Sequence, residues 1–147
     1  MQQLMTDQPI IEAVRFVLRP PRKSDAGLIA MYASDERVAR DSRAIPHPLP
    51  PGAIEAMIDR ALTPDRTEDT YVIDGSATGH AEAIGVISLN KMDRDQTEVF
   101  AESFQDNPRS ARVLTNCGFD YLGDAEAFSV ARNSVLPTWT YTRKTGL

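Results

Sequence analysis

The residues whose side chains could carry chemistry are few, and only some of them suit it. Cys117 is the single cysteine, and one thiol forms neither an intramolecular disulfide nor a cysteine-based zinc site. It is expected among apolar neighbours at the C-terminal end of a predicted helix, where the helix dipole disfavours a thiolate. We therefore expect Cys117 to be structural rather than a nucleophile.

His47 lies in segment 45–51, which four prolines hold extended as a rigid loop. An imidazole can act as a base near neutral pH, although a lone loop histidine is more often simply solvated. Glu82 and Glu102 lie on predicted strands and could activate an amine through a water molecule. Strand alternation does not decide whether either carboxylate faces a cleft, so both alternatives stay open.

Composition is typical of a globular domain, with 41% hydrophobic and 25% charged residues. The 147 residues suffice for one hydrophobic core. A formal charge of −5 argues against nucleic-acid binding, which needs clustered Lys and Arg. Residues 1–13 are expected to be a loose leader without a signal-peptide pattern, and no run is long enough to cross a bilayer. We expect one cytoplasmic domain over 1–147 that binds neither nucleic acid nor membrane.

The elements that would position these residues follow from hydrophobic periodicity. Alternating, β-rich stretches predict strands over 14–19, 71–74, 82–89, 99–104 and 138–143, and an interrupted strand over 119–122 and 128–132. The turn-rich stretch 75–79 joins two of them into a hairpin, in which Gly85 indicates a bulge or a close backbone approach.

Three helices are predicted beside these strands. The first has Ser24 or Asp25 as its N-cap, and its core-facing residues are Leu28, Ile29, Met31 and Tyr32. The second lies near 51–62, with Pro51 in its first turn and, facing inward, Ile54, Met57, Ile58 and Leu62. The third has Asn107 as N-cap, Pro108 as first residue and Gly118 as its stop. The order of elements predicts an α+β fold with a mostly antiparallel sheet.

The third helix carries the most specific sequence pattern, D-N-P-R-S-A-R-V-L-T-N-C-G-F at 106–119. Its Asn, the Ser three residues on, the Leu and the Gly-Phe pair are in the register of the GCN5-related N-acetyltransferase superfamily, which the chain resembles. Further matching segments occur in family order: V-L-R-P-P-R-K-S-D-A at 17–26, I-P-H-P-L at 45–49, I-G-V-I-S-L at 84–89 and T-W-T-Y-T-R at 138–143. More narrowly, the chain resembles the ribosomal-protein N-terminal acetyltransferase branch.

The resemblance implies the acyl-CoA N-acyltransferase fold, with α/β/α layers around a mixed, mostly antiparallel sheet. It implies one N-acetyltransferase domain that moves an acetyl group from acetyl-CoA to a primary amine by direct attack, without a metal. The acceptor would be a protein N-terminus or a small amine, and we expect the chain to act as a monomer or a homodimer. Asn107 would contact the pantetheine arm or the neighbouring strand, and His47 would border the acceptor site.

One departure from the family concerns the acid that protonates the CoA thiolate. Many members carry a tyrosine four residues before the glycine of the third helix, where this chain has Leu114. Ser110, one turn from the helix start, is the expected substitute, and its hydroxyl could reach the thioester sulfur or a bound water. The alternative is an ordinary hydrogen bond from this hydroxyl to a nearby backbone carbonyl. Ser110 is thus the candidate for both catalysis and cofactor binding.

A second departure lies between Leu89 and Val99. The family has there a fourth strand, a glycine-rich pyrophosphate loop and a helix whose N-terminus holds the pyrophosphate. Here Val99 directly follows Glu98, and no such loop occurs. Two interpretations stay open: the printed sequence omits a segment between Glu98 and Val99, or the molecule lacks it. In the second case the chain is a catalytically inactive relative that binds CoA weakly or serves as an interaction module.

Overall fold

The computed structural model describes residues 8–90 and 98–144. Its backbone contacts divide the chain into two compact units, each assembled from two separate stretches of sequence. The first unit comprises Met1–Ala33 and Leu49–Lys91, and the second comprises Ser34–Pro48 and Met92–Leu147. The single domain over 1–147 stays a prediction.

A four-stranded sheet, antiparallel at every pairing, forms the first unit's framework. Its strands lie side by side in the order β1 (Ile11–Glu12), β2 (Val17–Arg19), β3 (Glu68–Asp74) and β4 (Gly85–Asn90). β3 and β4 form the predicted hairpin. The bulge or close backbone approach predicted at Gly85 is not found: β3 and β4 pair there in regular register, and the crowding comes from a side chain, since a Cβ at Gly85 would lie 3.1 Å from Cδ1 of Ile73 on the facing strand.

Three helices lie between β2 and β3: α1 (Ala26–Ala33), α2 (Glu36–Arg40) and α3 (Ala53–Ala61). Of these, α1 and α3 belong to the first unit, where they contact each other and α3 contacts β3. The short helix α2 belongs to the second unit and was not predicted. The first unit's buried apolar core contains Ile29, Ala33, Ile54, Ile58, Ala61, Tyr71, Val72 and Ala83.

Two details of the predicted helices are wrong. Met31 and Tyr32 are 57% and 43% exposed rather than core-facing. The buried face of α1 is set by Ile29 and Ala33, four residues apart, and Met31 lies on the opposite side at 100° per residue. The helix α3 begins at Ala53, after a left-handed Gly52, so Pro51 precedes its first turn.

The buried guanidinium of Arg19 connects several segments of the first unit. Its Nη1 and Nη2 donate to the two carboxylate oxygens of Asp25 at 2.9 and 2.8 Å, and its Nε donates to Asp74 at 2.8 Å. Its remaining N–H groups donate to the carbonyls of Pro20 and Glu82, so all five donors are satisfied. The side chain of Arg19 is only 5% exposed, which makes this a buried ion network.

Asp25 therefore has another role than the predicted helix N-cap. It ends a 3-10 turn, Lys23–Asp25, that precedes α1, and its Oδ2 accepts the backbone N–H of Arg22 at 2.7 Å. Burial alone would raise the pKa of Asp25, but hydrogen bonds from Arg19 and the Arg22 backbone outweigh it, and the pKa lies below its usual value. The carboxylate is thus held ionised against its burial.

Part of the expected leader is held on the sheet. Ile11 and Glu12 pair with Leu18 and Val17 as the outer strand β1, and the buried Gln8 donates from Nε2 to the carbonyl of Thr70 at 2.6 Å. A backbone that satisfies its donors on a neighbouring strand is no longer loose. Residues 1–7 lie outside the described residues.

The second unit contains a three-stranded antiparallel sheet in the order β5 (Glu98–Phe104), β7 (Ser134–Lys144) and β6 (Asp120–Ser129). The predicted interruption of β6 is wrong. The strand is continuous over ten residues, and the irregularity is a bulge-like register shift between Tyr121 and Gly123. The helix α4 (Pro108–Asn116) begins and ends close to its predicted bounds. It contacts β5 and β6.

The expected gap of the family fold falls in the stretch that joins the two sheets. Residues 91–97 lie outside the described residues. β5 runs through the Glu98–Val99 bond without a break, with Glu98 opposite Lys144 and Val99 opposite Arg143.

The α+β fold class is confirmed by antiparallel sheets with flanking helices. All strand pairings among the described residues are antiparallel, so the sheet is less mixed than expected. None of the helices described is long and apolar enough to span a membrane.

The Arg19 network yields a prediction about stability. Asp25→Asn is expected to lower the free energy of unfolding by about 3 kcal/mol, because the amide turns an N–H group towards the buried guanidinium. Urea unfolding followed by circular dichroism at neutral pH measures this. Asp35→Asn is the matched control, since it removes the charge from the exposed Asp35–Arg37 pair yet still caps α2, and it should leave the unfolding midpoint nearly unchanged. Equal effects of the two substitutions would contradict the prediction.

The same network predicts how stability depends on pH. The hydrogen bond from Arg19 lowers the pKa of Asp74 from 3.8 to about 2. A carboxyl with a depressed folded-state pKa stabilises the protein above its unfolded-state pKa, and this contribution is lost as pH falls from about 4 to about 2. The wild type should therefore lose stability over that window more steeply than Asp74→Asn, as measured by urea unfolding at several pH values. Parallel profiles would exclude a role for Asp74.

Candidate functional site

The two ends of α4 are defined by strong local signals. Asn107 caps the N-terminus, with Oδ1 accepting the backbone N–H of Ser110 at 3.4 Å, and Pro108 occupies the first position. At the other end Gly118 is left-handed with φ of 86°, and the N–H of Phe119 returns to the carbonyl of Leu114 at 3.0 Å. This is a Schellman cap. The helix thus presents Asn107 and Ser110 together on its first turn.

The hydroxyl of Ser110 is the feature of α4 that distinguishes the two interpretations of this residue. Ser110 is half-buried, and its hydroxyl forms no hydrogen bond to any residue in the described ranges. Thr115 on the same helix behaves differently, since its Oγ1 donates to the carbonyl of Ala111 at 3.0 Å. The side-chain-to-carbonyl bond that would make Ser110 purely structural is therefore not formed among these residues.

The remaining residues of α4 are more exposed than expected. The helix has no buried residue, and Val113 is 60% exposed. Leu114, at the position of the family tyrosine, is half-buried. Cys117 is an exposed free thiol, so the expectation of apolar surroundings for it is wrong, because it follows the last helical turn rather than facing the sheet. Its backbone carbonyl accepts from Nη1 of Arg143 at 2.7 Å, which places a cation at the negative end of the helix.

The remaining predicted candidates, His47, Glu82 and Glu102, lie on other elements than Asn107 and Ser110. His47 is exposed beside the cis His47–Pro48 peptide bond in the second unit, and no hydrogen bond joins it to either residue. Glu82 lies in the first unit, in the turn before β4 rather than on a strand, and its side chain is exposed. These residues stay separate candidates.

Glu102 lies on β5 as predicted, but its carboxylate is already engaged. Its Oε2 accepts from Oγ1 of Thr138 at 3.1 Å on the paired strand. Its Oε1 lies 3.3 Å from Nη1 of Arg43 as an ion pair and accepts no hydrogen bond among the described residues. These contacts indicate that Glu102 links β5 to β7 and to segment 34–48 rather than serving as a free base.

Sequence reasoning missed a polar cluster beside the start of α4, which we call the Arg132 junction. It consists of Arg132, the carboxylate of Asp106 and the backbone carbonyl of Arg40. Nη1 and Nη2 of Arg132 both donate to Asp106, the latter at 3.1 Å, while Nε and Nη2 donate to the Arg40 carbonyl at 3.1 and 2.8 Å. The charge also lies 4.9 Å from the ring centroid of Phe104.

The junction has an electrostatic signature. The hydrogen bond from Arg132 holds the pKa of Asp106 below its usual value, and the nearby Arg40 guanidinium acts in the same direction. The partners are separated by 26 and 92 residues in sequence, so no local pattern marks the cluster. An acidic residue directly before an Asn-Pro helix start was the only available signal. No group of three or more potential metal-binding side chains occurs in residues 8–90 and 98–144.

Known structures share this fold at low sequence identity. The ribosomal-protein-S5-alanine acetyltransferase from Vibrio fischeri is 15% identical, with a TM-score of 0.70 over 95% of this chain and 98% of its own. The ribosomal L7/L12 α-N-protein acetyltransferase RimL in complex with coenzyme A is 13% identical, with a TM-score of 0.73 over 92% and 98%. The spermidine N-acetyltransferase from Vibrio cholerae in complex with CoA and spermine is 12% identical, with a TM-score of 0.68 over 90% and 96%.

Sequence comparison gives the family. No curated protein sequence matches the chain. A family model described as an acetyltransferase (GNAT) domain matches residues 15–100, more than half of the chain. The match ends within β5, so it is independent of α4, the element on which the resemblance to this superfamily most depended. Because this match covers more than half of the chain, the chain belongs to the acetyltransferase (GNAT) domain family.

Proposed function

We propose that this chain transfers the acetyl group of acetyl-CoA to a primary amine by direct attack. The amine lone pair attacks the thioester carbonyl carbon, the carbon–sulfur bond breaks, and the departing CoA thiolate takes up a proton as the new ammonium-like nitrogen loses one. Membership of the acetyltransferase (GNAT) domain family supports the acetyl-transfer step. The identity of the acceptor and the direct route are our proposal.

The observation that carries this proposal is the unengaged hydroxyl of Ser110 on the first turn of α4. A half-buried hydroxyl without a partner among the described residues is available to donate to the thioester sulfur or to a water beside it. In this role it replaces the tyrosine that Leu114 displaces. Ser110 is therefore our candidate catalytic residue and a contact of the cofactor.

Asn107 is the second candidate for the cofactor side. Its Oδ1 is used to cap the helix, while its Nδ2 donates to no residue within 8–90 or 98–144. A primary amide with free N–H groups matches the amide carbonyls of a pantetheine arm. Two structures of similar fold are complexes with CoA, and a third is named an acetyltransferase, which supports acetyl-CoA as cosubstrate. The proposal involves no metal.

The acceptor side is assigned to His47. Its exposed imidazole lies on the proline-rich loop that would border the incoming amine. Relatives named for a ribosomal-protein alanine and for spermidine support a protein N-terminus or a small amine as acceptor. A cytoplasmic location and action as a monomer or homodimer complete the proposal, and the net charge of −5 supports the absence of a nucleic-acid partner.

A catalytically inactive relative is the second candidate function. It is favoured by Leu114 at the tyrosine position and by the lack of a glycine-rich loop between Leu89 and Val99. Such a chain would bind CoA weakly or act as an interaction module. Binding without turnover separates it from the enzyme.

Ser110→Ala tests the enzyme. The rate of CoA release, measured with a thiol reagent over a panel of peptide N-termini and spermidine, should fall about a hundredfold, the size of a lost proton donor. Thr115→Ala is the matched control, since it removes a hydroxyl already bonded within α4 and should retain the wild-type rate. Acetyl-CoA should raise the melting temperature of the wild type and both variants. A thermal shift with acetyl-CoA, without release of CoA in the presence of any of these amines, would establish the inactive relative instead.

Asn107→Ser tests the cofactor contact separately from helix capping. Serine caps a helix about as well as asparagine, so the melting temperature should stay near that of the wild type. Loss of one amide donor should weaken acetyl-CoA binding about fivefold by calorimetry, the equivalent of one net hydrogen bond. Asn116→Ser, at the other end of α4, is expected to bind as the wild type does. Unchanged affinity in Asn107→Ser would remove Asn107 from the site.

A further inference from the structure

The helix α4 is held at its ends rather than along its length. None of its residues is buried, although it contacts β5 and β6. Its C-terminal end is bound by the Arg143–Cys117 hydrogen bond, and its N-terminal end follows Asp106 of the Arg132 junction. A helix with so little buried surface has weak packing constraints, so its end contacts decide where its first turn lies.

The start of α4 is tied to β5 by consecutive short contacts. The N–H of Asn107 donates to the carbonyl of Phe104 at 2.9 Å, and the buried Ser103 donates from Oγ to the carbonyl of Asn107 at 3.2 Å. The side chain of Asn107 in turn accepts the backbone N–H of Ser110. Asp106 is covalently adjacent to Asn107, whose Oδ1 accepts the Ser110 N–H, so the backbone at Asp106 helps to set where the first turn begins.

Arg132 supplies the fixed point for Asp106. It lies in the turn between β6 and β7, where its backbone N–H donates to Oγ of the fully buried Ser129. Its planar fork reaches two partners at once, the Asp106 carboxylate and the carbonyl at the C-terminal end of α2. Two residues before Arg132, the N–H of Val130 donates to the carbonyl of Arg43. Three separate segments of the second unit thus meet at one guanidinium.

We propose that Arg132 is a positioning residue for acetyl transfer. The Arg132 junction fixes the start of α4 and, through Asp106, the places of the Asn107 amide and the Ser110 hydroxyl. Arg132 contacts neither substrate in this scheme and acts only through Asp106. The inference rests on the proposed function, because it assigns a supporting role to the residues that function uses.

The test compares Arg132→Gln, Arg132→Lys and Arg37→Gln in the full-length chain. In Arg132→Gln the KM for acetyl-CoA should rise about tenfold and kcat should fall, because a shift of about 1 Å in a binding group is costly, while the KM for the amine stays unchanged. Arg132→Lys keeps the charge but not the fork and should recover only part of the loss. Arg37→Gln removes an equally two-pronged pair from the same unit, with Asp35, and should retain wild-type kinetics.

A second measurement separates failure of this inference from failure of the proposed function. Hydrogen exchange of the backbone amides of 110–112 should be faster in Arg132→Gln than in the wild type, whether or not the chain transfers acetyl groups. Wild-type protection of these amides together with unchanged kinetics would overturn the positioning role. Full rescue by Arg132→Lys would also overturn it, since charge alone would then suffice. Faster exchange in a chain that never releases CoA would retain the junction and refute the acetyl-transfer function.

Discussion

A single buried cation, Arg19, determines how the first unit is assembled. Its five donors join the end of β2, the turn before α1, the end of β3 and the segment that leads into β4. Removing ions from water is costly, and a buried pair often adds little net stability compared with apolar residues of similar size. Its value lies in specificity: a shifted β2–β3 register or a displaced α1 would leave a buried charge without its partner. The arrangement of strands and helices in this unit therefore follows from where two aspartates can reach one guanidinium.

The second unit uses the same device at the edge of its sheet. Among its described residues the buried apolar side chains are few, namely Ala39, Phe104, Ala127 and Tyr141, and several of the side chains buried with them are polar, Ser103, Ser129 and Thr138. Charge-assisted contacts from Arg132, Arg143 and Arg43 supplement this small core at α4 and β5. The candidate site thus lies on an element oriented by hydrogen bonds more than by packing. Hydrogen bonds are directional and short, which suits a first turn whose side chains must meet a substrate.

Local signals were sufficient to predict α4, since Asn107 and Pro108 start the helix and Gly118 ends it. The β3–β4 hairpin followed from alternation for the same reason. The burial of α1 was misjudged because four apolar residues in five positions fit more than one helix face, and the structure selects Ile29 and Ala33. The partners of Arg19 and Arg132 could not be predicted. Arg19 meets Asp74 across 55 residues, and Arg132 meets Arg40 across 92, and a single sequence does not indicate which distant group a cation will find.

The interleaving of the two units has a consequence for biosynthesis. Segment 34–48 interrupts the sequence of the first unit but belongs with strands that begin at Glu98. During translation this segment is synthesised well before β5, β6 and β7. It therefore has no sheet to pack on while α3, β3 and β4 complete the first unit. Closing such a long connection costs loop entropy before any contact offsets it, which makes the second unit the slower one to form. Cleavage at one peptide bond would not separate the units either, because their stretches alternate along the sequence.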